Sequence, residues 1–413
     1  MVYRVCVRRL LALVLFVAAG CTTVARNPAP TVSCTHLRPG GLPPEVRTLG
    51  LDETRLAARA AELVPRLKAA SSDGTIDILA LSGGGAGGAF GAGALVGWTK
   101  HGDRPQFDVV TGVSAGAFIA PFAFLGPQWD AQLTEALAGA GTSNVLQRRS
   151  LDILFRASIY RGKPLTDFVA TAFPDSLIDA VARESASGRM LLVATTNLDT
   201  QTTVIWNLGA IARQNNPASR ALFRSVLVAS ASIPGVFPPV LIAATSDDNR
   251  TFDEMHVDGG TTVAFFVAPE VAHIVPGTLT ELAGANLYVL MNAQADGIPR
   301  TTTNRLGAIV ARSSMTVLTQ MSRSQLQLAS AFAYERHMTF HVTDIPVDYP
   351  YGGSIDFSAA VERALFAYGE RCASRGLLWE TLPATIPRGD QGIARLAAGT
   401  LSADDVPCPA ELK

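Results

Sequence analysis

The sequence predicts an α/β protein with a mainly parallel sheet, because two strand–helix units follow one another early in the chain. Ile76–Leu81 and Phe107–Val113 are short apolar runs that suit buried strands. A glycine-rich turn and the helix-length segment Ala89–Lys100 follow the first run, and Ala115–Phe124 follows the second. Strands that alternate with helices are typical of sheets whose strands are parallel.

Residues 1–20, which precede this fold, predict a secretory signal peptide. Arg4, Arg8 and Arg9 come before an uncharged apolar run from Leu10 to Gly20. Such a run is too short to cross a bilayer as a helix, which takes about 20 residues.

The tetrad Ala18-Ala19-Gly20-Cys21 resembles the lipobox of bacterial lipoproteins, in which the cysteine becomes the lipidated first residue. The alternative is ordinary cleavage that leaves Cys21 as a plain thiol. Lipidation is favoured because an exposed, unpaired thiol would be a liability in an exported protein. Since position 22 is Thr and not Asp, the resemblance implies an anchor in the outer membrane of a bacterial envelope, with the protein facing the periplasm.

Residues 21–75 are expected to form a tether and an N-terminal helix. Prolines and glycines recur through 22–50, which is typical of an extended linker. Leu51–Ala70 has the spacing of an amphipathic helix, with a break at Pro65.

Further helices and strands follow the first two units. Two uncharged windows, Leu79–Thr99 and Val109–Trp129, are long enough to suggest membrane spans, but their glycines and prolines favour buried strand–turn–helix units. The remaining predicted elements are strands at Met190–Asn197, Thr202–Asn207 and Asn286–Asn292, a helix at Pro217–Ala229, and one long helix or two stacked ones over Thr302–Arg336.

The composition excludes several kinds of protein. The 413 residues hold 34 Lys and Arg against 35 Asp and Glu, so no surplus of positive charge is available to bind nucleic acid. Charged residues make up only 17% of the chain, against roughly 25% in an average soluble protein, which excludes disorder over most of its length. No metal-binding motif such as C-x-x-C or H-E-x-x-H is present, so neither a metal nor another cofactor is expected.

Three cysteines, Cys34, Cys372 and Cys408, follow Cys21 in the chain. In an exported protein any two of them could form one disulfide. Cys372 with Cys408 is the preferred pair, because both lie in the C-terminal part.

Gly112–Gly116 is a G-x-S-x-G motif between a predicted strand and a predicted helix. This is the context of a nucleophile elbow, in which glycines allow a sharp turn and the side chain of Ser114 projects from it. Backbone N–H groups at the N-terminus of a helix also stabilise negative charge that develops near the serine. The alternative is that Ser114 only caps the helix.

The loop Gly83–Gly88 matches the pattern G-x-G-x-x-G before the first predicted helix. A dinucleotide site would also need an acidic residue at the end of the second strand, and none stands there. We therefore interpret the loop as an oxyanion hole, whose unhindered N–H groups would bind the oxygen of a tetrahedral intermediate.

His256-Val257-Asp258-Gly259-Gly260 contains a candidate base. An Asp before two glycines can lie on a tight turn at a strand end, where burial would raise its pKa toward the working pH. The ordinary alternatives are that this Asp-Gly-Gly is only a turn and that His256 is structural.

These motifs resemble those of the patatin-like phospholipases. Leu81–Gly88 is similar to their glycine-rich loop, Gly112–Gly116 to their serine motif and Asp258–Gly260 to their Asp-Gly-Gly/Ala motif. Ala229–Pro239 is similar to a further stretch typical of the family, and the four matches together extend over about half of the chain. Gly87 departs from the pattern, because the family usually has Arg or Lys before the last glycine of the loop.

The resemblance implies a three-layer α/β/α sandwich and catalysis by a Ser–Asp dyad. Ser114 would be the nucleophile and Asp258 the proton acceptor, acting on a lipid or phospholipid ester at a membrane surface. Residues 76–271 would form the catalytic domain, and 272–413 a C-terminal extension packed on it. The glycines implied for the oxyanion hole are Gly83, Gly84, Gly85 and Gly88, and those implied for the two catalytic turns are Gly112, Gly116, Gly259 and Gly260.

The motifs leave two alternatives open. One is an α/β-hydrolase esterase with a Ser–Asp–His triad that uses His337 or His341, since both follow Asp258 in the chain. The other is a degenerate member that binds lipid or a partner at the cell envelope without catalysis, which the glycine at position 87 favours. The phenylalanines after the serine, among them Phe118, are expected to be core rather than the lining of an acyl pocket.

Overall fold

The computed structural model describes most of the chain from residue 26 onward. The predicted signal peptide, Cys21, Cys34 and the larger part of the predicted helix Leu51–Ala70 lie outside the described residues, while residues 65–70 are helical. The described residues are 26–31, 37–49, 65–71, 73–139, 142, 145–147, 157–267, 282–299, 301–381 and 402–412.

An eleven-stranded sheet forms the centre of the fold. The strands are β1 (Arg38–Pro39), β2 (Arg47–Leu49), β3 (Asp77–Leu81), β4 (Val109–Val113), β5 (Met190–Asn197), β6 (Thr202–Asn207), β7 (Val240–Thr245), β8 (Thr251–Asp258), β9 (Asn286–Leu290), β10 (Thr339–Thr343) and β11 (Glu380–Thr381). Five neighbours in the order β5-β4-β3-β9-β10 are parallel. The strands β8, β7 and β1 extend the sheet beyond β5 by antiparallel pairing, and β11 pairs antiparallel with β10. Strand β6 pairs antiparallel with β5 and with β2.

Nine labelled helices connect and cover the strands within the described residues. They are α1 (Gly88–His101), α2 (Ala115–Leu125), α3 (Asp130–Leu137), α4 (Lys163–Ala172), α5 (Asp175–Ser185), α6 (Leu208–Arg213), α7 (Pro217–Ser230), α8 (Leu306–Glu335) and α9 (Ala359–Ser374).

The central strands bury both of their faces. Leu79 and Leu81 of β3 belong to one hydrophobic core, together with residues of α1, α2 and α9. Ile78 and Ala80 belong to a second core, which includes Phe332 of α8. Since alternate residues of a strand point to opposite faces, helices cover the sheet on both sides. The predicted α/β/α sandwich is confirmed, and its sheet is mixed, with the five central strands parallel.

The observed elements agree closely with the predicted ones. Strands β5 and β6 have the predicted bounds, and the prediction over Thr302–Arg336 corresponds to the single helix α8. The two uncharged windows contain the strand–turn–helix units β3–α1 and β4–α2. None of the helices that the structure describes combines the length and hydrophobicity needed to cross a membrane.

The C-terminal helix α9 packs directly on α1, the helix that follows the glycine loop. A Cβ atom at Gly93 or Gly97 of α1 would overlap main-chain oxygens of Phe366 and Glu370 in α9. The two backbones therefore approach one another more closely than larger side chains would allow.

A disulfide joins Cys372 of α9 to Cys408, with 5.4 Å between the two Cα atoms. Both residues are buried, and the preferred pairing of the cysteines is confirmed. The bond fastens the described segment 402–412 to the helix that packs on α1.

We expect Cys372→Ala/Cys408→Ala to lower the free energy of unfolding by about 3 kcal/mol, because the bond closes a loop between residues 36 positions apart. Denaturant unfolding of the variant and of the wild-type chain would measure the difference. Wild-type protein with its disulfide reduced is the control and should show a similar loss. A loss below about 1 kcal/mol would contradict the expectation.

Candidate active site

Ser114 lies on a strained turn between β4 and α2. Its φ of 53° and ψ of −120° are unusual for a residue with a side chain. The flanking glycines make the turn possible, since a Cβ atom at Gly112 would lie 2.6 Å from the main-chain oxygen of Gly116. A Cβ atom at Gly116 would overlap main-chain atoms of Leu81 at the end of β3. This is the geometry of a nucleophile elbow.

Asp258 is the last residue of β8, and its carboxylate lies beside the Ser114 hydroxyl. The Ser114 hydroxyl donates a 2.6 Å hydrogen bond to its Oδ2, and the Gly260 amide donates a 2.7 Å hydrogen bond to its Oδ1. Position 259 requires a glycine, because a Cβ atom there would lie 2.5 Å from the main-chain oxygen of Ala194 in β5. Two residues 144 positions apart thus form a buried, hydrogen-bonded pair.

Burial raises the pKa of Asp258 to about 7. The hydrogen bonds from Ser114 and from the Gly260 amide act in the opposite direction, because they favour the ionised carboxylate. A carboxyl group with a pKa near neutrality can accept the proton of a nucleophile and return it later.

Ser230 and Ser232, at the end of α7, hold both members of the pair. The Ser230 hydroxyl donates to the main-chain oxygen of Ala194 at 2.7 Å and accepts from the Ser114 amide at 3.0 Å. The Asp258 amide donates to the main-chain oxygen of Ser232 at 3.0 Å. The sequence marks the stretch Ala229–Pro239 only as a family match, and these contacts show that it positions both Ser114 and Asp258.

The glycine loop lies beside Ser114, but its amides are not equivalent. The Gly83 amide donates to the main-chain oxygen of Ala264 at 3.0 Å, and the Gly88 amide donates to main-chain oxygens of the short 3-10 turn Gly85–Gly87 that precedes α1. Within the described part of the chain, the amides of Gly84 and Gly85 have no protein acceptor. The free donors are therefore fewer than the four implied glycines, because two of the amides already bind protein oxygens.

Ala115, the residue after the nucleophile, adds a donor beyond the four glycines that the family resemblance implies. It is the first residue of α2, so its N–H points out of the helix, as do all N–H groups of a first turn. Ala115 and Gly85 both line the pocket at Ser114.

Asn292 and Tyr351 support the loop from outside the predicted catalytic domain. The Asn292 amide donates to the Ser82 hydroxyl at 2.8 Å, and its side-chain amide donates to the Ser82 main-chain oxygen at 2.7 Å. The Tyr351 hydroxyl donates to the main-chain oxygen of Gly84 at 2.9 Å. A Cβ atom at Gly84 or Gly87 would overlap the main-chain oxygen of Asn292, which explains the glycine at position 87.

A mostly apolar pocket of about 30 Å³ opens next to Ser114. Phe118 belongs to the buried core, as expected, and also contributes to the lining of this pocket, whereas Phe122 and Phe124 are fully buried. The remaining lining residues include Val145, Leu165, Phe168, Ile233, Phe237 and Phe357.

The histidines named in the sequence, all of which the structure describes, are not hydrogen-bonded to the Asp258 carboxylate, and His337 is exposed in the turn after α8. His256 is fully buried, its Nδ1 lies 2.9 Å from the Thr195 hydroxyl, and burial lowers its pKa. His341 stacks on the ring of Tyr288, with 4.6 Å between ring centroids. The described partners of the Asp258 carboxylate are the Ser114 hydroxyl and the Gly260 amide, so the structure gives no support to a histidine triad.

Among the described residues no group of His, Cys, Asp or Glu side chains could hold a metal ion. The arrangement at Ser114 can instead perform acyl transfer with its own groups: a nucleophile, a base and a set of main-chain donors.

Comparison with known proteins agrees with the geometry. The family model described as patatin-like phospholipase matches residues 79–269. A comparison with curated proteins finds no match. Among solved structures, VipD from Legionella pneumophila is similar with 12% identity and a TM-score of 0.31 over 78% of this chain and 74% of that chain, a likeness too distant to carry an argument. From the family match we conclude that residues 79–269 form a domain of the patatin-like phospholipase family.

Proposed function

We propose that the chain is a serine lipid acyl hydrolase that cleaves carboxylic esters through a Ser114–Asp258 dyad. The observation that carries the proposal is the 2.6 Å hydrogen bond between the Ser114 hydroxyl and the Asp258 carboxylate, buried at a strained elbow beside free main-chain donors. The family domain supports lipid acyl hydrolysis in general.

In the first half of the reaction, Asp258 takes the proton of the Ser114 hydroxyl while Oγ attacks the ester carbonyl carbon. The negative charge moves to the carbonyl oxygen, to which the amides of Gly84, Gly85 and Ala115 would donate. The intermediate collapses, the bond from carbon to the alcohol oxygen breaks, and the departing alcohol takes the proton from Asp258. An acyl-enzyme on Ser114 remains.

In the second half, Asp258 takes a proton from water as the water oxygen attacks the acyl carbon. The bond to Ser114 Oγ breaks, the proton returns to that oxygen, and the carboxylic acid leaves. The apolar pocket lined by Phe118 and Phe168 would contact the part of the acyl group next to its carbonyl in both steps, since a space of about 30 Å³ is too small for a whole acyl chain. Its chemistry supports a lipid acyl group as the substrate.

We further propose that Cys21 is lipidated and that the protein is held at a bacterial outer membrane, facing the periplasm. The Cys372–Cys408 disulfide supports an oxidising compartment of this kind. Mass spectrometry of the protein from membranes would test the lipid, and loss of membrane association in Cys21→Ala would test the anchor.

A fluorophosphonate probe tests the nucleophile, and position-labelled phospholipids identify the bond that is cut. We expect the probe to label wild-type protein and not Ser114→Ala, with release of fatty acid lost in the same variant. Folded wild-type protein that neither reacts with the probe nor releases fatty acid would favour a lipid-binding role without catalysis.

The pH dependence of ester hydrolysis should reflect Asp258. Since the reaction needs the ionised carboxylate, we expect kcat/KM for a soluble ester to be constant above about pH 7 and to fall about tenfold per pH unit below it. Values of kcat/KM measured between pH 5 and 9 would show this fall at low pH, and Ser114→Ala would give the background rate. If kcat/KM instead began to fall only near pH 4, as expected for an exposed carboxyl group, the assignment of Asp258 as the base would be contradicted.

A further inference from the structure

Helix α8 is much longer than the strands it packs against. Its 30 residues extend over about 45 Å, and its buried residues lie near its C-terminal end. Those buried residues are Ala329, Ser330, Phe332 and Ala333. The first half of the helix, Leu306–Leu318, is largely exposed, so it projects from the body of the protein.

The projecting half leaves the body at the edge of the sheet that carries the active site. Helix α8 ends just before β10, whose Thr339 pairs with Asn286 at the start of β9, so the C-terminal end of α8 lies where the parallel strands begin. Farther toward the N-terminus of α8, the Gln325 side chain accepts a 2.8 Å hydrogen bond from the amide of Ala264, shortly after Asp258 in the chain. Leu306 lies about 28 Å beyond Gln325 along the helix.

Large apolar side chains are exposed on this projecting half. Leu306 is 81% exposed and Val317 is 66% exposed. With Ile309 and Val310 they fall within about one third of the helix circumference, because successive residues of a helix are about 100° apart. An exposed apolar stripe of this length marks a site of interaction.

The charge around the stripe has one sign. From Gly297 to Tyr334 the sequence contains no Asp or Glu. Arg305 and Arg312 lie on the projecting half, whereas Arg323, nearer the body, forms an ion pair with Asp296. A second copy of the same helix would bring these arginines against one another. An anionic lipid surface would bind both the apolar stripe and the positive charge.

We propose that Leu306–Leu318, which we call the docking helix, lies on an anionic phospholipid surface and brings the Ser114 pocket to it. The proposal rests on the proposed function, because it supplies the hydrolase with the surface that contains its substrate. It adds a contact independent of the lipid on Cys21.

Vesicle binding by two matched double variants tests the docking helix. Val310→Asp/Val317→Asp places two acids on the exposed stripe, and Leu328→Asp/Tyr334→Asp places two acids on exposed positions of the same helix beside the sheet. Each is made in the full chain carrying Cys21→Ala, so that no lipid anchor contributes. The vesicles are phosphatidylcholine with and without phosphatidylglycerol, and circular dichroism checks the fold.

We expect the Cys21→Ala chain to bind the phosphatidylglycerol vesicles at least tenfold more tightly than pure phosphatidylcholine. Val310→Asp/Val317→Asp should weaken that binding at least tenfold, and Leu328→Asp/Tyr334→Asp less than twofold. The proposal would be overturned if Val310→Asp/Val317→Asp bound the vesicles as tightly as the parent chain. It would also be overturned if both double variants lost vesicle binding to the same extent. A dimer that the first pair dissociates, without vesicle binding, would assign the stripe to a second copy instead.

Hydrolysis of a short soluble ester separates the docking helix from the active site. We expect both double variants to hydrolyse it at the parental rate, because Ser114 and its neighbours are unchanged. A parent chain that binds vesicles but neither hydrolyses the ester nor reacts with a fluorophosphonate would refute the proposed function and leave the docking helix in place.

Discussion

Asp258→Asn is expected to reduce ester hydrolysis on the order of 10⁴-fold while leaving the fold intact. The amide oxygen of Asn can accept from the Gly260 amide while its NH2 group donates to Ser114 Oγ, but an amide cannot take the proton that the nucleophile must lose. Ser114→Ala should lose at least as much activity, and the two substitutions together should cost little more than either alone, because the residues act as a pair. Single-turnover and steady-state rates on a soluble ester would measure the losses.

The stability of Asp258→Asn distinguishes loss of the base from loss of the fold. The folded protein holds a proton on Asp258 up to a pKa of about 7, whereas the unfolded chain releases it near 3.8. The wild-type protein therefore loses stability as the pH rises from about 4 to 7, since over that interval its folded state binds more protons than the unfolded chain. In Asp258→Asn this contribution disappears, so the variant should be at least as stable as wild type at pH 8. A marked fall in its melting temperature at pH 8 would contradict this account.

Gly87→Arg, which restores the residue type usual for the family, is expected to abolish most of the activity and to destabilise the protein. The backbone of Gly87 has φ −62° and ψ −15°, so its conformation alone would accept a side chain. The obstacle is the main-chain oxygen of Asn292, which a Cβ atom would overlap, and the Tyr351 hydroxyl lies 3.0 Å from the same position. Relief requires movement of the loop, at a cost of about 3 kcal/mol or more and about 10²-fold in kcat.

Gly297→Arg is the matched control, because a Cβ atom there meets nothing within 4 Å. Its free energy of unfolding and its rate of ester hydrolysis should equal those of the wild-type protein. Denaturant unfolding and hydrolysis of the soluble ester would be measured for both variants. Higher activity in Gly87→Arg would show that the loop can move away from Asn292 and that the basic residue is catalytically useful in this chain.

Much of the fold and the dyad could be predicted from the sequence, because their signals are local. Short apolar runs followed by glycines define β3 and β4, and the G-x-S-x-G motif marks Ser114 within five consecutive residues. Asp258 is equally predictable, because it too stands in a short motif at a strand end.

The support of the site could not be predicted, because it depends on contacts between distant segments. Asn292 lies 210 positions from Ser82, its hydrogen-bond partner, and no motif surrounds it. The unequal availability of the loop amides follows from Ala264, whose main-chain oxygen accepts from Gly83. In α8 the apolar spacing resembles that of a buried helix, and only the structure reveals that its first half projects.

The part of the chain that holds the active site in place is longer than the segment that matches the family model, because it includes Asn292, Tyr351 and Ser354. All three residues lie beyond position 269, yet they touch the glycine loop that precedes the nucleophile. Strand β9 also enters the middle of the sheet, next to β3. A fragment that ends at residue 269 would keep Ser114 and Asp258 but lose the residues that hold the glycine loop in its conformation. Truncated or chimeric proteins should therefore retain the chain at least to Cys408.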